Sequence, residues 1–394
     1  MKVLLLTDNI FPTDRPIIHS FWKDSFVSLG NKLTLIMRTK KKQKQFYWSN
    51  SKLLLIGVNY TSRFSKFYSF MNAFYLNFWL SFKIIRKEGI DIVHSHDGPM
   101  ESFIALFWSK FFGIKFTYAY TAPFIEFNAL SNSGILRKVK NVFFKKIYEL
   151  ALLNCDLLFP ISDNLAHQLS KNYGIEKGKI IPIPESSNSV FLNLKRTEKS
   201  CFSKQIVYIG AVNEERKLEF LLRSFKIVYS QIPESNLKII GFKEKDLAYV
   251  SRLKKYVEEY NLGNSVEIIE SLPVNKMAEL VLRCQLGVSP IPPEEVYINS
   301  TPTKTIEYLS LGLPVVCNKE IIDQNTVISE SGAGYSVNYD EESFAEAIMK
   351  IIGSNHKSDE MGKKGRIWVE KNRSFDRLAS NINNRLNKML QLEI

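Results

Sequence analysis

Along the first half of the chain, short runs of leucine and β-branched residues alternate with longer stretches whose apolar positions recur at helical spacing. The runs Val3–Leu6, Leu33–Met37, Leu53–Val58, Ile92–His96, Phe116–Tyr120, Leu157–Ile161 and Ile180–Pro182 predict strands. Helices are predicted between them, at about 18–29, 64–87, 100–112, 136–153 and 163–173. A polar stretch over 185–204 interrupts the pattern, which then restarts. Gln205–Ile209, Leu237–Ile240, Val266–Ile269, Gly287–Ser289 and Pro314–Cys317 are the second set of strands. Helices near 215–229, 247–260, 275–282 and 302–311 separate them, and 342–352 and 359–390 read as terminal helices. Strands alternating with helices imply parallel sheets covered on both faces. The expected architecture is therefore α/β: two doubly wound Rossmann-like domains facing across a cleft, where open α/β sheets bind ligands. The expected boundaries are 1–187 for the first domain and 188–372 for the second. A helix over 373–394 is free to return to the first.

A length of 394 residues fits two domains, and 45% hydrophobic with 24% charged residues is an ordinary globular composition. Four cysteines lie far apart without a CxxC pair, which excludes a disulfide scaffold or thiolate zinc site and fits a reducing cytosol. MKVLLLTDNI has too short an apolar core for a signal peptide and reads as a first strand. The net charge of +13 changes the picture more, because residues 1–190 carry +12 of it. Between Ser25 and Lys87 there are twelve basic residues and no acidic one. The first domain therefore faces something anionic: nucleic acid, lipid headgroups or a phosphorylated substrate.

Candidate chemistry concentrates in SPIPPEEVYINSTPTKTIEYLSLGLPVVCN, residues 289–318. Ser300 or Thr301 is placed to cap a helix whose first-turn residue is Pro302, and Lys304 and Glu307 share one face of it. A helix amino end presenting Ser300–Thr303, with a first-turn lysine and no acid, suits a diphosphate. Glu307 is placed to accept hydrogen bonds from a pair of ribose hydroxyls. An ordinary surface salt bridge is the competing reading. Arg216 and Lys217 sit where a strand hands over to a helix, a mildly unfavourable place for cations unless an anion binds there. His94, His96 and Asp97 cluster at a strand end, as metal ligands or as cleft lining, and His19 lies in the loop after the first strand.

The order YIG (Tyr208–Gly210), LKIIG, SPIP and STPTKTIEYLSLGLPVV, with DIVHSHD (Asp91–Asp97), CDLLFPISDNLAHQL and KIIPIP, resembles GT-B fold, group 1 glycosyltransferases, the family-four retaining sugar-nucleotide enzymes. The resemblance spans essentially the whole chain and is most specific over Pro302–Val316. It implies that Glu307 contacts a ribose and Lys304 a phosphate, and Arg216, Thr303, Ser300, Asn299 and Gly210 complete the expected nucleotide-sugar site. Arg216 and Lys304 then carry the catalytic charge. Three family positions are altered: an arginine falls on Ala211, the first glutamate of the Glu-x7-Glu pair on Asn299, and a histidine on Tyr120. His19, His96, Asp97 and Tyr120 are the acceptor-side candidates.

The resemblance implies a retaining glycosyltransferase using a nucleoside-diphosphate sugar donor. No Asp-x-Asp triplet occurs, so no metal and no cofactor is expected, and fixed cations would stabilise the departing diphosphate. Five cations in Arg38–Lys44 precede nine aromatics in Phe64–Phe82. The sixteen residues Phe67–Phe82 are charge-free but shorter than the roughly 20 that span a bilayer. Either this helix is buried on two sides, or one side lies against lipid. Lys40, Lys41, Lys42 and Lys44 are the membrane-facing candidates. The expected setting is cytoplasmic, peripheral on the inner face of the cell membrane. The expected acceptor is a saccharide, in family terms one on a polyprenyl diphosphate, built into surface polysaccharide such as lipopolysaccharide or capsule. No nucleic-acid module is present. The alternative is a non-catalytic GT-B-like scaffold subunit of a glycan-assembly complex.

Overall fold

A computed structural model describes residues 1–13, 15–41, 44–58, 63–121, 135–187, 189–194 and 204–391. The chain divides into two units, Met1–Pro184 with Phe375–Ile394, and Glu185–Ser374.

The first unit is a seven-stranded sheet in the order β3-β4-β2-β1-β5-β6-β7. Its strands are β1 (Lys2–Phe11), β2 (Lys32–Thr39), β3 (Lys44–Trp48), β4 (Ser51–Gly57), β5 (Ile92–His96), β6 (Lys115–Tyr120) and β7 (Leu157–Pro160). All pairings are parallel except β3 with β4. Side chains alternate across a strand, and β1 shows what that does here. Leu4 and Leu6 face the helices Arg63–Glu88, Pro99–Phe112 and Ile135–Asn154, while Val3 and Leu5 face a π-helix at Ile17–Phe26 and the last helix, Phe375–Gln391. That last helix buries Phe375, Ala379, Ile382 and Leu386 on one stripe. It is pinned by Phe21 against Phe375 and by Ser25 Oγ donating to Asp376 at 2.6 Å.

Two predictions about this unit need correction. The segment Ile180–Pro182 is not a regular strand. Ile181 N and Ile183 N donate to Leu158 O and Pro160 O, but Pro182 and Pro184 have no N–H with which to continue a ladder. Strand β3, unforeseen, doubles back on β4 through a tight turn, with Trp48 opposite Ser51.

The second unit is a six-stranded, all-parallel sheet in the order β10-β9-β8-β11-β12-β13. Its strands are β8 (Gln205–Ile209), β9 (Asn236–Phe242), β10 (Val266–Glu270), β11 (Leu286–Ser289), β12 (Val315–Asn318) and β13 (Gly334–Val337). The predicted terminal helix over 359–390 is two helices, Asn355–Asn372 and Phe375–Gln391. The order reverses between β8 and β11, so the crevice at their carboxyl ends is where ligands of such sheets bind.

Two glycines set the packing there. A Cβ on Gly241 would stand 2.1 Å from the carbonyl oxygen of Gly210, so the backbone just after β8 touches the end of β9. A Cβ on Gly287 would stand 2.5 Å from the ring of Tyr308, which lies flat on β11. Gly287→Ala should therefore destabilise the second unit by about 1–3 kcal/mol, as overpacking does. Urea unfolding of the variant beside wild type measures it.

Candidate active site

Helix Thr303–Ser310 is held on the sheet by Tyr308. The Tyr308 hydroxyl accepts from Ile209 N at 2.7 Å and lies 3.1 Å from Val207 O and 3.4 Å from Val288 O. It therefore spans the switch-point strands β8 and β11. Lys304, one turn earlier, is thereby placed beside Gly210, whose positive φ of 138° turns the chain away at the end of β8. A Cβ on Gly210 would meet Lys304 Cε at 3.2 Å, tighter than ordinary contact, and the positive φ there also suits glycine beside the ammonium.

Lys304 Nζ donates to the Tyr208 hydroxyl at 3.4 Å and stands 4.5 Å above that ring. Tyr208 Oη donates in turn to Ala211 O at 2.9 Å. Arg216 lies 4.7 Å over the ring of Tyr297. Two cations are thus held against aromatic faces around one glycine turn.

No side chain caps the helix. Contrary to the sequence reading, Ser300 Oγ turns back to Tyr297 O at 2.7 Å, and Thr301 Oγ1 accepts from Glu185 N at 3.4 Å. The amino end at Thr303–Lys304 is left for something else. Lys217 is drawn to Glu294 at 2.7 Å. Asn299 ends the short turn Glu295–Ile298, just before this amino end.

Lys304 and Glu307 keep part of their surface open, yet both are largely desolvated. Burial, reinforced by Arg216 and opposed by Glu307, brings the Lys304 ammonium down to about 7. Burial, opposed by Lys304, pushes the Glu307 carboxyl up to about 7. Each group lacks enough compensation for full charge near neutrality. An anion beside Lys304 and a hydroxyl pair on Glu307 would supply it. Such perturbed groups at a sheet's switch point mark a functional site.

In the first unit, Asp97 takes a left-handed turn (φ 56°) after β5. It accepts from Thr121 N at 3.0 Å and Thr121 Oγ1 at 2.6 Å, and pairs with Arg15 at 3.0 Å. His96 is buried, with both ring nitrogens lacking a hydrogen-bond partner and Nε2 3.7 Å from Asp97. Burial, only partly offset by Asp97, lowers it to about 4, so its ring is neutral. Tyr120 is buried too, and His19 Nδ1 lies 2.8 Å from Ser20 Oγ on the half-open π-helix. His94 packs against Trp22 and Thr117, inside the unit. Among the described residues, no group of three or more His, Cys, Asp or Glu is disposed to hold a metal ion.

Sequence reasoning missed the rest of this cluster. Glu101 is buried and paired with Arg38 at 2.6 Å, and Asp8 is raised to about 6 by burial and by the charges of Glu101 and Asp97. Asp8 lies in β1, Arg38 near the end of β2 and Glu101 in the helix after β5, and the signal for Asp8 and Arg38 was a charged residue just past an apolar run. Among the membrane-facing candidates, Lys40 and Lys41 are exposed, Lys42 lies outside the described residues, and Lys44 begins β3.

Two family models match the chain: Glycosyl transferases group 1 over residues 194–368, and Glycosyltransferase Family 4 over residues 24–186. Similar solved structures include a sucrose-phosphate synthase from Thermosynechococcus elongatus, 15% identical, covering 100% of both chains with a TM-score of 0.75. The Anabaena protein HepE in complex with UDP-glucose is 11% identical, over 98% of this chain and 100% of that one, at 0.69. An α,α-trehalose-phosphate synthase (UDP-forming) from Burkholderia vietnamiensis is 10% identical over the same shares, also at 0.69. No curated protein matches by sequence. At these identities the structural likeness establishes the fold, which is GT-B.

The shifted pair makes anion binding depend on pH. Above about 7 the Lys304 ammonium is lost, which removes an attraction, and Glu307 becomes negative, which adds a repulsion. The affinity of wild type for inorganic pyrophosphate, relative to Lys304→Arg, should therefore fall as pH rises from 6 to 8.5, by up to about tenfold per unit. Calorimetric titration of both proteins checks it. A ratio that stays flat would contradict it.

Proposed function

The chain belongs to the group 1 glycosyltransferases of GT-B fold, and from that premise we propose that it moves a sugar from a nucleoside-diphosphate sugar to a hydroxyl of a lipid-linked saccharide, with retention and without a metal or cofactor. The observation that carries this reading is Lys304 and Glu307 on one helix face, against the glycine turn that ends β8.

Breaking the anomeric C–O bond passes through an oxocarbenium-like transition state while negative charge grows on the departing diphosphate. Lys304, Arg216 and the uncapped amino end at Thr303 would receive that charge without reorganising. Glu307 would accept from the ribose hydroxyls, which favours its ionised form and in turn the ammonium of Lys304. The HepE complex with UDP-glucose and the UDP-forming synthase support a nucleotide sugar as donor. The sequence has no Asp-x-Asp triplet, which favours cations over a metal for the leaving group. Asn299, an amide where the family carries a glutamate, would hydrogen-bond the sugar without countering positive charge.

On the acceptor side, the carboxylates of Asp8 and Asp97 and the neutral ring of His96 offer acceptors and a donor to sugar hydroxyls. Among the described residues no group stands out as an enzymic nucleophile; the acceptor hydroxyl would attack on the face the diphosphate leaves, its proton passing to the departing phosphate oxygen as the anomeric C–O bond breaks. The excess of +12 in residues 1–190 supports an anionic membrane surface as the partner of this half, which would suit the assembly of a surface polysaccharide.

Thermal shift with UDP, GDP, CMP, dTDP and ADP, on wild type and Glu307→Ala, tests the donor site. One preferred nucleoside diphosphate, with its shift lost in the variant, is expected. No shift with any of them near millimolar would favour a non-catalytic GT-B-like scaffold, with Ala211, Asn299 and Tyr120 as the altered positions.

A further inference from the structure

Helix Arg63–Glu88 packs Ile84, Ile85 and parts of Phe74, Phe78 and Leu80 on the core, and still carries a second apolar stripe outward. Its inner stripe, Ser69, Ala73, Asn77 and Ser81 at four-residue spacing, is small or polar and buried, with Ser81 Oγ donating to Asn77 Oδ1 at 3.2 Å. Its outer stripe, Phe67, Met71, Tyr75 and Trp79 at the same spacing, is exposed by 65%, 46%, 60% and 43%. The helix was expected either to be buried on two sides or to leave one side for lipid, and the first alternative does not hold. In a water-facing helix the large apolar side chains turn inward.

The same outward stripe continues on its neighbours. Helix Pro99–Phe112 exposes Phe103, Phe107 and Phe111, one turn apart, with Phe103 and Phe107 ring centroids 6.2 Å apart and Phe107 and Phe111 6.4 Å apart. Phe74 and Phe103, 6.3 Å apart, join the first helix to the second. A groove of about 460 Å³ beside Phe107, Phe111, Ile147 and Leu150 joins the second to helix Ile135–Asn154, which exposes Val139, Val142 and Phe143. The result is one continuous apolar face across three helices, far more than scattered surface hydrophobics.

We propose that this three-helix face is the seat on which the protein lies in an anionic lipid bilayer, its aromatic stripes entering the headgroup–acyl boundary. Charge selects this occupant over a protein. The three helices carry eleven Lys or Arg against three Glu. Those three are engaged already: Glu88 by Lys52, Glu101 by Arg38, and Glu149 by Lys145 and Lys146. A second copy would set this positive charge against itself, whereas acidic headgroups complement it. Among the described residues no helix is long and apolar enough to cross a membrane, which leaves the interfacial mode. The face gives the membrane-side reading above a physical location, resting on aromatic stripes. It rests on that reading for its purpose, to bring a lipid-linked acceptor to the enzyme.

Co-sedimentation with vesicles of phosphatidylcholine, alone or mixed with phosphatidylglycerol, tests it. Wild type is compared with the quadruple variant Phe67→Ser, Met71→Ser, Tyr75→Ser and Trp79→Ser, and with Phe107→Ser plus Phe111→Ser. Wild type should bind the mixed vesicles better than the neutral ones, and each variant should bind at least about tenfold more weakly. An unchanged far-ultraviolet circular-dichroism spectrum and urea-unfolding transition in the variants show that their fold is kept. Wild type that ignores anionic vesicles, or variants that bind them equally well, would overturn the proposal. So would a wild-type dimer that the variants dissolve, because a second copy would then cover the face. Vesicle binding without any nucleotide shift would leave this surface standing and fail the donor site instead.

Discussion

The candidate site depends on one fully buried side chain. Tyr308 lies on Gly287, and its hydroxyl is fixed to the backbone of β8 and β11, so helix Thr303–Ser310 has one position on the sheet. That position brings Lys304 to Gly210 and Glu307 to the same opening. A larger residue at 287 would lift the helix, and a larger one at 210 would displace the ammonium. The two glycines and the tyrosine are therefore a geometric constraint from which the electrostatics follow.

Those electrostatics are unsettled in the absence of a ligand. Lys304 is brought down and Glu307 pushed up to about the same value, chiefly by burial. Mutual attraction only partly offsets that cost, because Arg216 works against Lys304. Sites that hold such frustrated groups bind best what relieves the frustration. A diphosphate with a ribose attached would do both, since it would supply anion to the lysine and hydroxyls to the carboxylate.

The sequence made legible whatever is local. Lys304 and Glu307 lie three apart on one helix, and Arg216 at a strand-to-helix handover, so spacing alone placed them. Family resemblance added Gly210. Ser300 was misread as a cap because its hydroxyl closes the preceding turn onto Tyr297 O instead, a competition between two local bonds that composition does not decide. β3 was hidden because its lysine-rich approach reads as a surface patch. The Asp8, Arg38, Asp97 and Glu101 cluster was illegible for a different reason. Its members come from β1, from β2 and from the turn and helix after β5, and only the strand order β2-β1-β5 brings them together. In the aromatic helix, twelve apolar residues in sixteen announced an excess of hydrophobic surface. Only the fold shows that the small polar stripe is the one turned inward.

The central claim is that Lys304 at the end of β8 stabilises a departing nucleoside diphosphate. Its most direct test is the rate at which wild type and Lys304→Ala release nucleoside diphosphate from a panel of nucleotide sugars, with a saccharide acceptor or with water. One sugar nucleotide should be turned over, and the variant should be slower by roughly 100–1,000-fold, the usual cost of losing one preorganised stabilising group. Equal rates in the two proteins would contradict the account.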